Sequence, residues 1–249
     1  MPHDGKKAIV TGAADGIGRA TAIQLVNEGA NVLAVDRNQA GLDSLKAEYG
    51  EIHLLKQDVA APDAPKNICN KALNLLAGID YLINVAGVVS APNSLIESQA
   101  FTDWKQVIDV NLHAVFAITQ AAIPALKESQ GGRLVNIGSI MSELASPGMG
   151  AYAASKHAIA GLTKTLALEL GPYGITANYI LPGAIVTGIT RPALAAGPGF
   201  EDFWSNKSPL GRLGQPEDIA MGICFLLSKD ASFITGHGLT IDGGVMQSS

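Results

Sequence analysis

Short runs of β-branched and other apolar residues alternate with helix-length segments along the whole chain, and this alternation constrains the fold more than any other feature. The early runs are almost continuously apolar, which is typical of strands in a parallel sheet that is covered on both faces. The repeated strand–helix order predicts an α/β fold with a doubly wound sheet and right-handed crossovers. Seven strands are predicted, at Ala8–Val10, Asn31–Val35, Ile52–Leu55, Tyr81–Val85, Arg133–Ile137, Thr176–Leu181 and Gly238–Ile241.

The segments between these strands have the length and pattern of helices. Pro124 is expected to kink or shorten the fourth of them, because proline removes a backbone donor. No change in composition marks a linker, so residues 1–249 are expected to form a single domain. The stretch 183–206 is irregular and rich in Gly, Pro and Ala, and we interpret it as a substrate lid. The predicted helices span 17–29, 39–49, 62–77, 102–128, 151–171 and 216–228.

The composition excludes several classes of protein. Hydrophobic residues make up 47% of the chain and charged residues 16%, which indicates a large core and some apolar surface that an oligomer would cover. The net charge of −5 and the lack of a basic cluster argue against a nucleic-acid partner. No run of 18 or more apolar residues and no signal segment is found, so we expect a cytoplasmic protein without a membrane span. Both cysteines are expected to be buried thiols, and the five histidines show no metal-binding spacing.

A glycine-rich turn follows the first predicted strand and precedes the first predicted helix. Gly12, Gly16 and Gly18 would let the backbone turn tightly and approach a pyrophosphate, which the N–H groups of the helix N-terminus would bind. The spacing is Gly-x-x-x-Gly-x-Gly rather than the commoner Gly-x-Gly-x-x-Gly. The position of the turn between strand and helix therefore predicts a dinucleotide site. Asp15 and Ile17 are also predicted to belong to this site.

Polar residues at the ends of later strands extend this predicted site. Asp36 closes the second strand, where a carboxylate can accept both hydroxyls of the adenosine ribose and would repel a 2′-phosphate. Arg37 could instead pair with a 2′-phosphate, but the glycine-rich turn itself holds no basic residue, so NAD is favoured over NADP. Asp58 either contributes to the site or caps the following helix. The other candidates here are Val59, Asn84, Ala86 and Gly87.

Three side chains are candidates for proton transfer. Tyr152 and Lys156 are four residues apart on a predicted helix, so they share one face. An ammonium one turn away would favour the phenolate and lower the tyrosine pKa, which allows Tyr152 to exchange a proton with an alcohol or a carbonyl oxygen. Ser139, at the end of the fifth strand, could donate a hydrogen bond to the same oxygen. Taken alone, a Tyr-x-x-x-Lys pair is more often an exposed pair on an amphipathic helix.

Over nearly its whole length the chain resembles the short-chain dehydrogenases/reductases of about 250 residues. That resemblance implies a Rossmann-type sheet with the cofactor and catalytic sites in one domain. The motifs that carry it are Thr11-Gly12-x-x-x-Gly16-x-Gly18, Asn84-x-Ala86-Gly87, Val110-Asn111-Leu112, Ser139 with Tyr152-x-x-x-Lys156, Pro182-Gly183-x-x-x-Thr187 and Ile241-Asp242-Gly243-Gly244.

The resemblance also implies roles for single residues. Asn111 would hold a water that links Lys156 to solvent, and Lys156 would also hold the nicotinamide ribose. Asp58 and Val59 would contact the adenine, while Ile185 and Thr187, in the segment that begins at Pro182 and Gly183, would contact the nicotinamide carboxamide. The family pattern often has a second Asn where this chain has Val85. Members are usually homotetramers and sometimes dimers.

The sequence therefore predicts an NAD(H)-dependent oxidoreductase that interconverts a secondary alcohol and a ketone. The alternatives are an NADPH-dependent 3-oxoacyl thioester (acyl carrier protein) reductase, favoured by the segment 208–218, and a non-catalytic NAD-sensing protein. The substrate would be a small molecule, and its identity cannot be read from these motifs. Its pocket is predicted to be lined by Ser139, Met141, Leu144, Met149, Tyr152, Ile189, Phe200, Phe203 and Trp204.

Overall fold

Seven strands, all parallel, form one sheet in the computed structural model of the chain, which describes residues 1–89 and 95–248. The order across the sheet is β3-β2-β1-β4-β5-β6-β7, so the predicted Rossmann-like doubly wound fold is confirmed. Every predicted strand is present, with ends that differ by one residue or less. The strands are β1 Lys7–Thr11, β2 Asn31–Asp36, β3 His53–Lys56, β4 Tyr81–Asn84, β5 Arg133–Ile137, β6 Thr176–Pro182 and β7 Gly238–Ile241.

Helices cover both faces of the sheet because alternate residues of each strand point to opposite sides. Ala8 and Val10 of β1 pack into one apolar core, and Ile9 between them packs into the other. Helices α1, α2 and α9 bury their apolar residues in the first core, and α3, α5 and α6 in the second. The helices of the described residues are α1 Gly16–Asn27, α2 Gln39–Glu48, α3 Ala64–Leu76, α4 Phe101–Ile108, α5 Ala114–Glu128, α6 Gly150–Leu170, α7 Arg191–Ala195, α8 Gly199–Lys207 and α9 Pro216–Leu227.

Two predicted segments differ from the structure. Pro124 lies inside α5 without ending it, and the irregularity in the segment 102–128 is instead a π-helical turn at Asp109–His113, between α4 and α5. The segment 183–206, predicted to be irregular, contains α7 and all but the last residue of α8. Pro192 and Pro198 stand near the starts of these helices, where a missing N–H costs no helical hydrogen bond.

The strand order places the winding reversal at β1, which pairs with β2 on one side and β4 on the other. The loops after β1 and β4 therefore leave the sheet in opposite directions and open a crevice at the carboxyl ends of the strands. Open α/β sheets bind ligands in such a crevice.

One helical stretch among the described residues, Phe101–Glu128 counted across its π turn, is long and apolar enough to cross a membrane by length and composition. The stretch contains no unbroken run of 18 apolar residues, so it is not predicted as a membrane span from its sequence. Of the most apolar 18-residue part of this stretch, 44% is buried inside the protein. Ile118 and Ala122 belong to the core that it shares with α3. Buried core helices pass the same test, so the stretch is weak evidence for a membrane span.

Candidate active site

The crevice at the carboxyl ends of the strands contains a cavity of about 560 Å³. Most of the predicted cofactor and catalytic residues line it, although they come from positions 12 to 189 of the chain. Lining residues that the sequence analysis did not assign to the site include Gln57, Val85, Val88, Val89, Val110, Ile137, Gly138, Gly188, Thr190 and Pro192. The predicted residues that line it are Gly12, Asp15, Gly16, Ile17, Gly18, Asp36, Arg37, Asp58, Val59, Ala86, Gly87, Ser139, Tyr152, Lys156, Pro182, Gly183, Ile185, Thr187 and Ile189.

Two glycines of the glycine-rich turn have no room for a side chain. A Cβ on Gly12, whose φ is +67°, would lie 2.9 Å from the Cα of Ala86, and one on Gly18 would lie 2.1 Å from the carbonyl oxygen of Gly12. The Thr11 hydroxyl accepts hydrogen bonds from the N–H groups of Val85 and Ala86, at 3.0 and 3.2 Å, and so joins the ends of β1 and β4. Helix α1 thus starts directly at the cavity wall, as a pyrophosphate site requires.

Asp36, the last residue of β2, is fixed in place by backbone donors. One carboxylate oxygen accepts from the Ala14 N–H in the glycine-rich turn at 3.1 Å, and the other accepts from the Asn38 N–H at 2.8 Å. Both Asp36 and the adjacent Arg37 line the cavity. The carboxylate therefore has a defined position beside the turn, with remaining lone pairs for a ribose hydroxyl.

Ser139 and Lys156 reach the cavity from neighbouring elements. Ser139 caps the 3₁₀ turn Ile140–Ser142 that follows β5, and its Oγ accepts from the Met141 N–H at 3.1 Å. Lys156 is buried in α6, where its ammonium donates to the carbonyl oxygen of Ile137, the last residue of β5, at 2.7 Å. Tyr152 and Lys156 thus lie on one helix, as predicted, and both line the cavity. They do not form an exposed surface pair.

The protonation equilibria differ from the expectation for this pair. Burial raises the pKa of Tyr152, and the hydrogen bond with Ser139 acts in the opposite direction. The Lys156 ammonium lies 5.5 Å from the centre of the Tyr152 ring, and burial lowers its own pKa to about 8. Burial therefore outweighs the stabilisation of the phenolate, and the pKa of Tyr152 lies above its ordinary value rather than below it as predicted.

Ser142 is a positioning residue that the sequence analysis missed. Its buried hydroxyl donates to the backbone carbonyl of Lys156 at 2.8 Å and accepts from the N–H of Ser139 at 3.2 Å. One side chain thus joins the two elements that carry these residues. The spacing Ser139-x-x-Ser142 at a helix start is a capping pattern, so the sequence contained a signal for it.

Asn111 lies in the π turn, behind the cavity wall rather than on it. Its amide group exchanges two hydrogen bonds with the backbone of Val88, both 2.8 Å, and donates to the hydroxyl of Ser155 at 3.1 Å. Ser155 in turn donates to the carbonyl oxygen of Tyr152 at 2.7 Å. Asn111 thereby ties the loop after β4 to the first turns of α6. Asn111 lies within the π-helical turn Asp109–His113, and turns of this kind are often found at functional sites.

Asn84 was predicted to contact the cofactor, but the structure places its side chain in the core. Its amide nitrogen donates to the hydroxyl of Thr119 at 3.2 Å and to the amide oxygen of Asn136 at 2.9 Å. Asn136 donates onward to the hydroxyl of Thr163 at 2.9 Å. This buried network joins β4 and β5 to α5 and α6, so Asn84 supports the elements of the site and does not line the cavity.

Replacing Asn136 by Ala is expected to lower the free energy of unfolding by about 3 kcal/mol, because it leaves a buried N–H of Asn84 without its acceptor and opens a cavity. Asn136 is fully buried, whereas Asn31 at the start of β2 is exposed. Urea unfolding of Asn136→Ala, with Asn31→Ala as the matched control, measures the difference. Equal stability of the two variants would contradict the role assigned to the network.

The predicted substrate pocket is only partly found at the cavity. Ser139, Tyr152 and Ile189 line it, but the other predicted residues do not. The aromatic residues of α8 contact one another, with ring centres 5.3 Å apart for Phe203 and Trp204. The remaining pocket assignments stay predictions, and they concern Met141, Leu144, Met149, Phe200, Phe203 and Trp204.

Among the described residues, one group brings possible metal ligands together, at the amino ends of the strands and so away from the cavity. Nitrogen, oxygen and sulfur atoms of His3, Glu28 and Cys224 lie within 4.8 Å of one another. His3 is 3.2 Å from the Glu28 carboxylate and 3.2 Å from the Tyr81 hydroxyl. These contacts fasten the N-terminal residues to α1 and β4 without a metal, and the prediction that the chain has no metal site remains a prediction.

Comparisons with known proteins match the chain to dehydrogenases and reductases. A family model described as enoyl-(acyl carrier protein) reductase matches residues 12–246. The 3-oxoacyl-(acyl-carrier-protein) reductase FabG of Thermotoga maritima is 37% identical, over 99% of this chain and 100% of its own length. Cyclohexanol dehydrogenase of an Acinetobacter strain is 38% identical, over 96% of this chain and 94% of its own length. The aldohexose dehydrogenase of Thermoplasma acidophilum has a similar structure, with a TM-score of 0.90, 33% identity and 99% and 96% coverage.

A Rossmann-like sheet, a glycine-rich turn at a helix start and a Ser-Tyr-Lys set on one cavity define a nicotinamide-dependent oxidoreductase that acts on CH–OH or keto groups. The chain belongs to the short-chain dehydrogenase/reductase family. This confirms the resemblance and favours an enzyme over the non-catalytic NAD-sensing protein considered from the sequence.

Proposed function

We propose that the chain is an NAD(H)-dependent oxidoreductase that interconverts a secondary alcohol and a ketone. The observation that carries the proposal is the shared cavity, which Ser139, Tyr152 and Lys156 line together with the glycine-rich turn and Asp36. The residues present fit a dinucleotide. The turn carries glycine at three positions, a helix begins at Gly16, and the Asp36 carboxylate is held beside the turn.

Bound nicotinamide supplies hydride chemistry, accepting a hydride from the alcohol carbon or delivering one to the carbonyl carbon. In oxidation, Tyr152 takes the proton of the substrate hydroxyl as the carbonyl forms; in reduction, it returns that proton to the oxygen. Ser139 donates a hydrogen bond to the same oxygen while negative charge develops there. Lys156 stabilises the phenolate by its charge and holds the nicotinamide ribose. Asn111 holds the water that links Lys156 to solvent.

The preference for NAD over NADP rests on Asp36. A carboxylate fixed by two backbone N–H groups can accept the ribose hydroxyls but would lie against a 2′-phosphate of the same charge. The 3-oxoacyl thioester reductase remains the second candidate, because relatives that carry that name match nearly the whole chain. The cyclohexanol dehydrogenase matches about as well, and its printed name supports a free alcohol as substrate.

Initial rates with NAD, NADP and their reduced forms test the two candidates. The panel should contain cyclic and linear secondary alcohols, the corresponding ketones and a 3-oxoacyl thioester. We expect oxidation of a secondary alcohol with NAD at the highest kcat/KM. A preference for NADPH with the thioester would contradict the proposal and establish the second candidate.

The pH dependence should follow the Tyr152–Lys156 pair. Burial sets the pKa of Lys156 at about 8. Loss of one proton from the pair gives neutral lysine with neutral tyrosine, in equilibrium with a form that has a phenolate and an ammonium, and oxidation needs that second form. Oxidation should therefore fall about tenfold per unit as the pH drops below this value and level off above it, while reduction should decline above it. Plots of kcat/KM against pH in both directions measure this, and a flat oxidation profile would contradict the assignment.

We further propose a cytoplasmic homotetramer. Large apolar side chains are exposed on the outer faces of the helices, such as Phe116 on α5, Leu168 on α6 and Phe225 on α9. Leu168 is 81% exposed, and a subunit interface would remove this apolar surface from water. Light scattering coupled to size-exclusion chromatography gives the subunit number, and a monomer would contradict this part of the proposal.

A further inference from the structure

Asp15 stands at the start of α1 but does not cap it. Its backbone is extended, with φ −154° and ψ 165°, as is usual for a residue that caps a helix, yet its carboxylate makes no capping hydrogen bond. Both of its oxygens instead accept hydrogen bonds from the guanidinium of Arg191, at 2.6 Å each. Arg191 is 176 residues away in sequence and is the first residue of α7 in the predicted lid.

The lid segment is shaped to receive this carboxylate. A Cβ on Gly188 would lie 2.9 Å from Asp15 Oδ2, so a larger residue there would push the carboxylate aside. Thr187, next to it, packs against Gly16, since a Cβ on Gly16 would lie 3.1 Å from the Thr187 methyl group. The guanidinium and, to a smaller extent, the N–H of the adjacent Gly16 hold the pKa of Asp15 below its ordinary value, so the carboxylate is charged at neutral pH.

The direction in which the Asp15 side chain turns matters because two anions could use the same donors. The free N–H groups in the first turn of a helix bind phosphates, and they also bind the carboxylate of an aspartate at the N-cap. Either anion is favoured there by the positive end of the helix dipole. A carboxylate that capped α1 would therefore occupy donors needed by a pyrophosphate and would repel it.

We propose that Arg191 is a positioning residue for the cofactor: by holding the Asp15 carboxylate against the lid, it leaves the N-terminus of α1 open to the dinucleotide pyrophosphate. This inference rests on the proposed function, in which the chain binds NAD(H) at that turn. It also gives Arg191 a purpose that no motif in the glycine-rich turn reveals. Without the guanidinium, the Asp15 carboxylate would compete with the pyrophosphate for the N–H groups at the start of α1.

The test measures the NADH dissociation constant by fluorescence for single and double variants. Arg191→Ala should weaken NADH binding about tenfold, which corresponds to about 1.4 kcal/mol. Asp15→Ala gives the reference background, in which no carboxylate can compete for the donors of α1. Adding Asp15→Ala to Arg191→Ala should restore binding to within about twofold of the wild type, a rescue that a purely structural ion pair would not show. The KM for the dinucleotide should follow the dissociation constants.

A second exposed arginine offers a matched control. Arg212 makes an equivalent two-bond pair with Asp218, at 2.7 and 3.0 Å, and the exposure of the two arginines is similar, 52% and 57%. Neither arginine lines the cavity, but Asp15, the partner of Arg191, does and Asp218 does not, so Arg212→Ala should leave NADH affinity unchanged.

Three results would overturn the inference while leaving the proposed function intact. They are unchanged affinity in Arg191→Ala, an equal loss in Arg212→Ala, and a double variant as weak as Arg191→Ala. The last would mean that the guanidinium binds the pyrophosphate directly. A wild-type protein that binds neither NADH nor NADPH would overturn the proposed function and this inference together.

Discussion

Replacing Tyr152 by Phe should lower kcat by about 10³-fold while NADH affinity stays within about twofold of the wild-type value. The variant removes one oxygen from a cavity wall that also holds Ser139 and Lys156, so hydride transfer loses its proton partner and the cofactor loses little contact area. Stopped-flow measurement of a single turnover, together with NADH fluorescence titration, separates the chemical step from cofactor binding.

Tyr173→Phe is the matched control for this experiment. Tyr173 is exposed and stacks against Lys127, whose ammonium lies 3.7 Å from the ring centre, away from the cavity. Removal of the Tyr173 hydroxyl should leave kcat unchanged. Turnover by Tyr152→Phe at the rate of the control would refute the assignment of Tyr152 as the acid and base.

Replacing Asp36 by Ala should shift the preference between NADH and NADPH by about 10²-fold toward NADPH. The substitution removes the acceptor for the ribose hydroxyls, an effect of about 1–2 kcal/mol, and also removes the repulsion of a 2′-phosphate. Arg37 remains beside the vacated position and can then pair with that phosphate. The ratio of kcat/KM for the two cofactors is the measurement.

A charge-matched control shows whether the effect is local. Asp43 on α2 is exposed and accepts a hydrogen bond from Gln39 on the same helix, without lining the cavity. Asp43→Ala changes the net charge by the same amount and should not alter the cofactor ratio. An unchanged ratio in Asp36→Ala would contradict NAD selection by this carboxylate.

The sequence sufficed to predict the sheet because its strands are short apolar runs bounded by helix-forming segments. Such runs have few other stable arrangements, and all seven strands appear where the pattern placed them. The glycine positions were equally readable, since close backbone contacts at Gly12 and Gly18 admit no other residue without a shift.

Features that depend on long-range contacts escaped the sequence analysis. The pairing of Asp15 with Arg191 joins residues 176 positions apart, and no periodicity connects them. The pKa values depend on burial, which reversed the expected direction for Tyr152. Asn84 matched a motif, but its side chain turned into the core because Asn136 and Thr119 offered buried partners there.

The π-helical turn at Asp109–His113 makes the geometry around Asn111 depend on chain length as well as on residue identity. One residue turns an α-helix by about 100°, so deleting a single residue from this turn would restore regular winding and rotate everything on one side of it. Either Asn111 would leave its contacts with Val88 and Ser155, or the buried face of α5 would leave the core. The helix can therefore accumulate substitutions one at a time during evolution, whereas an insertion or deletion within it would disrupt these contacts.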